Sequence, residues 1–341
     1  MEIRLRTLTP LWTGGVNGEC TKLRETSILG SLRWWFEAIV RGFGGYACDS
    51  VGEVGKKCEL DTKKYNEGKD PKELICPSCY VFGTTGWARR FRLEVEGYDK
   101  TIVQIATKRL DCARSKDVSW WIRKTVDLNC SVLSGDNVHM KINSYDNNIS
   151  DILYLILKTI EKMGAIGSHN SYGFGIIKVN YPLGVNIHQT FDFIRGYPEK
   201  WYDKKMTRRV KELPSFKNMF KMDFRLLEDI GNKNFGFVLK YTLRQAFKED
   251  SKFKDYVETL FGSKSNRRDK FAGRIFVSNC WKEGDEFIFR VYGFLYGFDE
   301  IEQIIEKIKE TVENCLKVDI KEKIVIENLD DFKKNIGDRS D

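Results

Sequence analysis

LRETSILGSLRWWFEAIVRGFGG, residues 23–45, decides how the chain begins to fold. At 100° per residue Ile28, Leu32, Trp35, Phe36 and Ile39 share one arc, so the segment is an amphipathic helix that buries that arc. Trp34 falls off the arc beside Ser27, Gly30, Ser31 and Arg41, while Arg33 and Glu37 point nearly opposite its centre. A flat ring among small residues and a guanidinium suits stacking on a base with its phosphate neutralised. It equally suits packing against another domain or subunit.

Working outward, Glu2 to Leu8 alternates Ile3, Leu5 and Thr7 with Arg4 and Arg6, a strand. After the helix come a cysteine-bearing loop and strands at Phe91–Val95 and Thr101–Leu110. Ile149–Met163 reads as a second helix, and a glycine-rich turn leads to a strand at Phe174–Val179. Strand, helix, strand, strand, helix, strand is the order of a ferredoxin-like unit. The order recurs. Lys221–Leu226 reads as a strand, Phe235–Leu260 as helical, Gly273–Asn279 and Phe287–Tyr296 as paired strands, Glu300–Leu316 as a helix and Lys323–Glu327 as a last strand. An echo supports the duplication: Tyr80-Val81-Phe82-Gly83 leads to Arg89-Arg90-Phe91, and Leu260-Phe261-Gly262 leads to Gly273-Arg274-Ile275. The expected fold is therefore α+β, two tandem ferredoxin-like (RRM-like) domains with inserted loops. Its boundaries are 1–190 for the first domain, 191–218 for a basic linker and 219–341 for the second domain with an acidic tail.

With 341 residues, 41% hydrophobic, 13% aromatic and 6 prolines, the composition is that of an ordered globular protein with room for two cores. No apolar tract is long enough to span a bilayer and the N-terminus lacks an apolar signal core, so a cytoplasmic protein is expected. The net charge of +8 is uneven: residues 299–341 hold 8 basic and 13 acidic side chains, leaving +13 on the rest. A basic body suits a polyanionic partner, although basic runs such as 195–225 are also ordinary solvated surface.

Nine cysteines without a secretion signal argue for reduced thiols. Cys20, Cys112, Cys130, Cys280 and Cys315 are scattered and read as small apolar residues. Cys48, Cys58, Cys76 and Cys79 are clustered, the last two as C-P-S-C. A C-x2-C pair puts two thiolates on one tight turn, and two further cysteines complete a tetrahedral, structural zinc with no open position. A long loop gains from such a staple.

The turn Ala165-Ile166-Gly167-Ser168-His169-Asn170-Ser171-Tyr172-Gly173-Phe174-Gly175 joins a helix to a strand. Glycines there let the backbone approach a ligand, so that amides meet phosphate oxygens. It is neither a P-loop nor a dinucleotide fingerprint, since it lacks the lysine of the first and closes a helix where the second opens one. This loop resembles the G-hydrophobic-G, five residues, G-hydrophobic-G pattern of the RAMP superfamily of CRISPR proteins, with Ala165 in place of the first glycine and Gly164 one position early. Together with the helix LRETSILGSLRWWFEAIVRG at 23–42 and the block CPSCYVFGTTGWARRF, it is similar to the first-subunit family of the type III-B (Cmr) RNA-targeting effector complex. The resemblance covers residues 1–180 and, more loosely, the second half. It implies a non-catalytic antiviral-defence subunit, placed toward the guide 3′ end. Its partners would be guide RNA, target single-stranded RNA and other Cmr subunits.

The candidate RNA-binding residues are Trp34 and Tyr172 for stacking, Lys22, Arg24, Arg33, Arg41, Arg89 and Arg90 for phosphates, and the loop Gly167, Ser168, His169, Asn170, Tyr172, Gly173 and Gly175 for amides and polar side chains. Some members of the superfamily cleave RNA, and His169 could serve as general acid or base near neutral pH, which keeps an endoribonuclease as one alternative. A protein-docking module that uses the Trp34 face is the other. No acidic cluster at metal-ligand spacing, nucleophile elbow or zinc-protease helix is present.

Overall fold

The computed structural model describes residues 1–15, 19–49, 57–106, 110, 129–180, 187–208, 212–262 and 273–336. The chain is α+β. β1 (Glu2–Thr7) lies at the centre of a four-stranded antiparallel sheet ordered β2 (Phe91–Glu96), β5 (Val138–Ser144), β1, β6 (Ile177–Asn180). The register sets Ile3 opposite Met140, Leu5 opposite Val179 and Leu93 opposite Ile142, so one face is apolar throughout. Against that face pack α1 (Glu25–Gly42) and α5 (Asn147–Met163), which bury Leu32, Phe36 and Ile39 and Ile152, Ile156 and Ile160. Each such side chain contributes about 1.5–3 kcal/mol. Asp146 starts α5 by accepting from the Asn148 amide at 3.0 Å.

The sheet corrects one expectation. Residues 99–104 form β3, which pairs with β4 (Asn129–Ser134) as a separate ribbon, and the third strand of the sheet is β5. The half-polar β5 alternates Val138, Met140 and Ile142 inward with His139 and Lys141 outward. Such a pattern gives a single-sequence reading little to hold. The remainder of the expected strand, 107–109, lies outside the described residues, as do Cys112 and the side chain of Cys130.

A second antiparallel sheet is ordered β11 (Val318–Val325), β7 (Met219–Leu226), β10 (Glu286–Phe294), β8 (Ile275–Val277), with β9 (Trp281–Glu283) hairpinned onto β10. α8 (Gly236–Glu249) and α10 (Ile301–Cys315) cover it. In chain order the main strands and helices of the first sheet run strand, helix, strand, strand, helix, strand, with the first strand between the third and the fourth; the second sheet repeats this apart from the added β9, its first strand, β7, lying between β10 and β11.

The echoed glycines are equivalent in geometry. Gly83 and Gly262 end α4 (Pro77–Phe82) and α9 (Val257–Phe261) at φ 86° and 91°. Arg33 in α1 donates to the Gly83 carbonyl at 2.8 Å, and Arg244 in α8 donates to the Gly262 carbonyl at 2.6 Å. The Arg90 and Arg274 amides then donate to the Val81 and Leu260 carbonyls.

The acidic C-terminal segment returns to the first unit as far as Ile336. α11 (Leu329–Ile336) crosses back onto the first unit, where Phe332 stacks on Phe216 with centroids 4.3 Å apart and Ile336 joins the first core. Residues 191–208 also lie along the first unit: Phe191 and Ile194 enter its core, and Tyr197 and Trp201 roof the cysteines. Within the basic run Lys221 is buried in β7 against Asp223, and Arg225 pairs with Glu286 and Asp319, so neither faces open solvent as a free cation. Cys20, Cys48, Cys58, Cys76, Cys79 and Cys280 are free thiols, whereas Cys315 is disulfide-bonded, which corrects the expectation of reduced thiols there. Among the described residues no helix is long and apolar enough to cross a membrane.

Candidate nucleic-acid interface and cysteine cluster

The glycine-rich loop is built on α1. Gly167 (φ 89°) donates to Ser31 Oγ at 2.9 Å and accepts from it at 3.1 Å, so a serine on the small-residue face of the helix clamps the loop. Gly164, one position early in the pattern, is required where it stands: a Cβ there would come within 2.1 Å of the Trp35 ring. Trp35 Nε1 in turn donates to the Ala165 carbonyl at 3.1 Å. At Gly175 (φ 97°) a Cβ would meet the Ile166 carbonyl at 2.2 Å, and at Gly173 (φ 89°) it would meet Asn279 at 2.5 Å. Both positions demand glycine.

The loop amides are largely committed to the fold, which corrects their expected role. Ser168 N–H donates to the Trp12 carbonyl, Gly175 N–H to Pro10, Gly173 N–H to Asn170 and Tyr172 N–H to His169. What the loop offers outward is side chains. His169, held at φ 57°, lies against Trp12 with centroids 3.6 Å apart and stacks on Tyr172 at 5.1 Å; Tyr172 stacks on Phe237 of α8, also at 5.1 Å. This ladder of rings runs from the first unit to the second with His169, Asn170 and Tyr172 half exposed along it. Burial holds the His169 pKa below its ordinary value, so its imidazole is neutral at pH 7.

Arg24 joins the same locus. Its guanidinium covers Gly15, its amide donates to Thr13 Oγ1, and Thr13 Oγ1 donates to the carbonyl of the exposed Lys22. Trp34 is half-buried, edge-on to Trp35 and to Phe294 of β10, with centroids at 5.3 and 5.0 Å. Its off-core face therefore meets the second unit of the same chain. Arg89 and Arg90 lie elsewhere, at the start of β2. Arg89 donates to the Phe91 carbonyl at 2.7 Å, and Arg90 sits over the rings of Trp87, Tyr145 and Tyr80.

Arg33 and Arg41 turn inward, against the expectation that they face phosphates. Both pair with Glu37, itself buried, and Arg41 also donates to the Ala47, Cys48 and Pro214 carbonyls. The reason is the cysteine segment, which folds over this side of α1 and makes a second interior from a face that helical periodicity assigns to solvent. Arg33 Nη2 donates to Cys79 Sγ at 3.2 Å.

Cys48, Cys58, Cys76 and Cys79 place their Sγ atoms within 4.8 Å of one another. Cys48 and Cys79 are 3.3 Å apart, and Cys48 and Cys76 are 3.8 Å apart. A tetrahedral zinc with Zn–S bonds of about 2.3 Å spaces its sulfurs at about 3.8 Å, so the set fits that ion. The guanidinium donating to Cys79 suits thiolate charge. Cys76 is the N-cap of α4 and Pro77 follows it, which fixes Cys79 one turn on. Tyr197 Oη donates to the Ile75 carbonyl and Trp201 Nε1 to the Lys72 carbonyl, both at 2.8 Å.

Trp12, Ser31, Asn279 and Arg290 escaped the sequence reading. Asn279 holds Gly173 by its amide and the α8 N-terminus by Oδ1. Arg290 donates to the Glu161 carbonyl at 2.9 Å at the end of α5, just before the loop. Only Ser31 had a local signal, as one of the small residues beside Trp34.

Over its length the chain is similar to several solved structures. These include apo Cmr1 from Pyrococcus furiosus (15% identity, 94% of this chain and 97% of that chain, TM-score 0.47). They also include a chain of the type III-B Cmr-beta complex bound to cognate target RNA (11% identity, 91% and 98%, TM-score 0.48). A chain of Cmr-beta bound to cognate target RNA and AMPPnP in the presence of ssDNA is a third (12% identity, 92% and 99%, TM-score 0.47). No curated protein matches the chain. The model of the RAMP superfamily matches residues 4–178, just over half of the chain, from β1 through the glycine-rich loop into β6, and the protein therefore belongs to the RAMP superfamily.

Proposed function

We propose that this protein is a non-catalytic RNA-binding subunit of a type III-B (Cmr) CRISPR effector complex. It would contact target single-stranded RNA, the 3′ region of the guide RNA, or both, within two tandem ferredoxin-like domains of 1–190 and 219–341. The observation that carries the reading is the loop at the joint between the two sheets, where His169, Asn170 and Tyr172 are presented half exposed beside Trp12, Lys22 and Arg24. Rings and cations in one place suit a flexible polyanion with stackable bases. The common strand order of the two sheets and the paired Arg33–Gly83 and Arg244–Gly262 contacts support the duplication. The cysteine cluster takes the role of a structural zinc staple.

A non-catalytic role is favoured by the surroundings of His169. Among the described residues its contacts are the rings of Trp12 and Tyr172 and burial is what lowers its pKa, so no described charged side chain stands beside it to complete an acid–base pair. Titrating labelled single-stranded RNA into the protein at rising salt tests the reading. Affinity falls steeply with salt and exceeds that for duplex DNA; a flat salt dependence refutes it. Cleavage of guide or target RNA in EDTA that His169→Ala abolishes would establish the ribonuclease instead, and crosslinks from position 34 to protein alone in a reconstituted complex would establish the docking module.

A further inference from the structure

Lys240 lies mid-way along α8 with only 8% of its surface exposed. Among the described residues its ammonium touches the Phe276 ring, 5.0 Å from the centroid, and makes no hydrogen bond or ion pair. Buried charges are almost always paired, because removing an ion from water without a counter-charge is strongly unfavourable. Burial first, then the like charge of Arg244, pull its pKa down to about 8. Arg244 spends one nitrogen on the Val257 and Gly262 carbonyls, and Arg274 lies on the Tyr296 ring, 3.6 Å from its centroid. Neither pairs with a carboxylate among the described residues.

The ammonium sits at the edge of the second sheet, where β8 begins. A Cβ on Gly273 would lie 3.1 Å from Lys240 Nζ and 2.9 Å from the Phe261 main chain, so glycine keeps this approach open. Gly273, Arg274 and Phe276 are half exposed there.

We propose that this edge of the second unit is a phosphate-binding site anchored by Lys240 Nζ, and that the phosphate it takes is a backbone phosphodiester of bound RNA. A phosphate supplies the counter-charge that no described residue provides, and several acceptors for one ammonium with three N–H groups. The assignment to RNA rests on the RNA-binding reading above; the phosphate site stands without it.

The test compares wild type, Lys240→Met and the exposed-site control Lys254→Met as full chains, with inorganic phosphate against chloride at matched ionic strength. Wild type and Lys254→Met bind phosphate saturably and are stabilised by it; Lys240→Met binds at least about tenfold more weakly and, without phosphate, is more stable than wild type. Equal phosphate affinity in wild type and Lys240→Met, or no saturable binding by wild type, overturns the site. If Lys240→Met does not fold, the Lys240 Nζ resonance of the wild-type protein decides: phosphate raises its pKa, and no change overturns the site. In the RNA arm, Lys240→Met lowers the salt slope of single-stranded RNA binding by about one. Phosphate binding lost with the RNA slope unchanged assigns the site to free phosphate and overturns the RNA half.

Discussion

Replacing Arg290 by methionine removes a guanidinium that is 5% exposed and joins three parts of the molecule. Nε and Nη2 hold both oxygens of Asp223, at 2.7 and 3.0 Å, and Nη1 donates to the Glu161 carbonyl at 2.9 Å. Methionine fills much of the stem volume, so the cavity contribution is small. The cost comes from charge. Asp223 is left buried with Lys221 alone, at 2.8 Å, and breaking a buried pair by removing one partner costs about 3–5 kcal/mol. The C-terminal end of α5 loses a donor and a cation, worth about 1 kcal/mol. The expected loss is about 4–6 kcal/mol, a large share of the roughly 5–15 kcal/mol that holds a domain together. Equilibrium unfolding in urea at pH 7 measures it, followed through the transition of the second unit if the two units unfold separately.

Acid carries the same signature. Burial alone would raise the Asp223 pKa, but the charges and hydrogen bonds of Arg290 and Lys221 outweigh it and hold the carboxyl below its ordinary value. Its contribution is therefore complete above about pH 4 and is lost as pH falls through the folded-state value, so the gap between wild type and Arg290→Met narrows in acid. Asp223→Asn combined with Arg290→Met costs less than the sum of the two single changes. A loss under about 1 kcal/mol for Arg290→Met, or strict additivity of the pair, refutes this account.

Gly173→Ala must adopt φ 89° with its Cβ 2.5 Å from Asn279, whereas Gly68→Ala meets the same φ in open space; the first costs about 2 kcal/mol or more beyond the second, and equal losses on thermal melting would contradict the clash. The purified protein carries about one zinc per chain by elemental analysis, lost in Cys76→Ser, and chelation alters the fluorescence of Trp201 above the cluster; a chain free of stoichiometric zinc counts against the staple. His169 titrates by NMR below its ordinary 6.5, because burial disfavours the imidazolium; its stabilising contribution is full above that value and declines as pH falls below it, and a midpoint above 6.5 would contradict the neutral ring.

Much of the fold was legible because its signals are local. The apolar arc of α1, the periodicity of α5 and α10 and the echo around Gly83 and Gly262 each follow from spacing within one segment. β5 was not legible, because its partner strands, β1 and β2, are distant in sequence and its own alternation is weak. The inward turn of Arg33 and Arg41 was hidden for a related reason. Helical periodicity assigns one buried face, and a second appears only when the cysteine segment folds over the first unit.

The sequence by itself determined the α+β order of elements, the four clustered cysteines and the glycine positions of the loop, since propensity, spacing and φ requirements act over a few residues. Tertiary structure decided what those features do. It spent the loop amides on Pro10, Trp12 and the loop itself, set Trp34 against Phe294 and left Lys240 buried without a counter-charge among the described residues. These outcomes depend on which distant surfaces meet and on how much water they exclude, and neither is written in any single stretch of the chain.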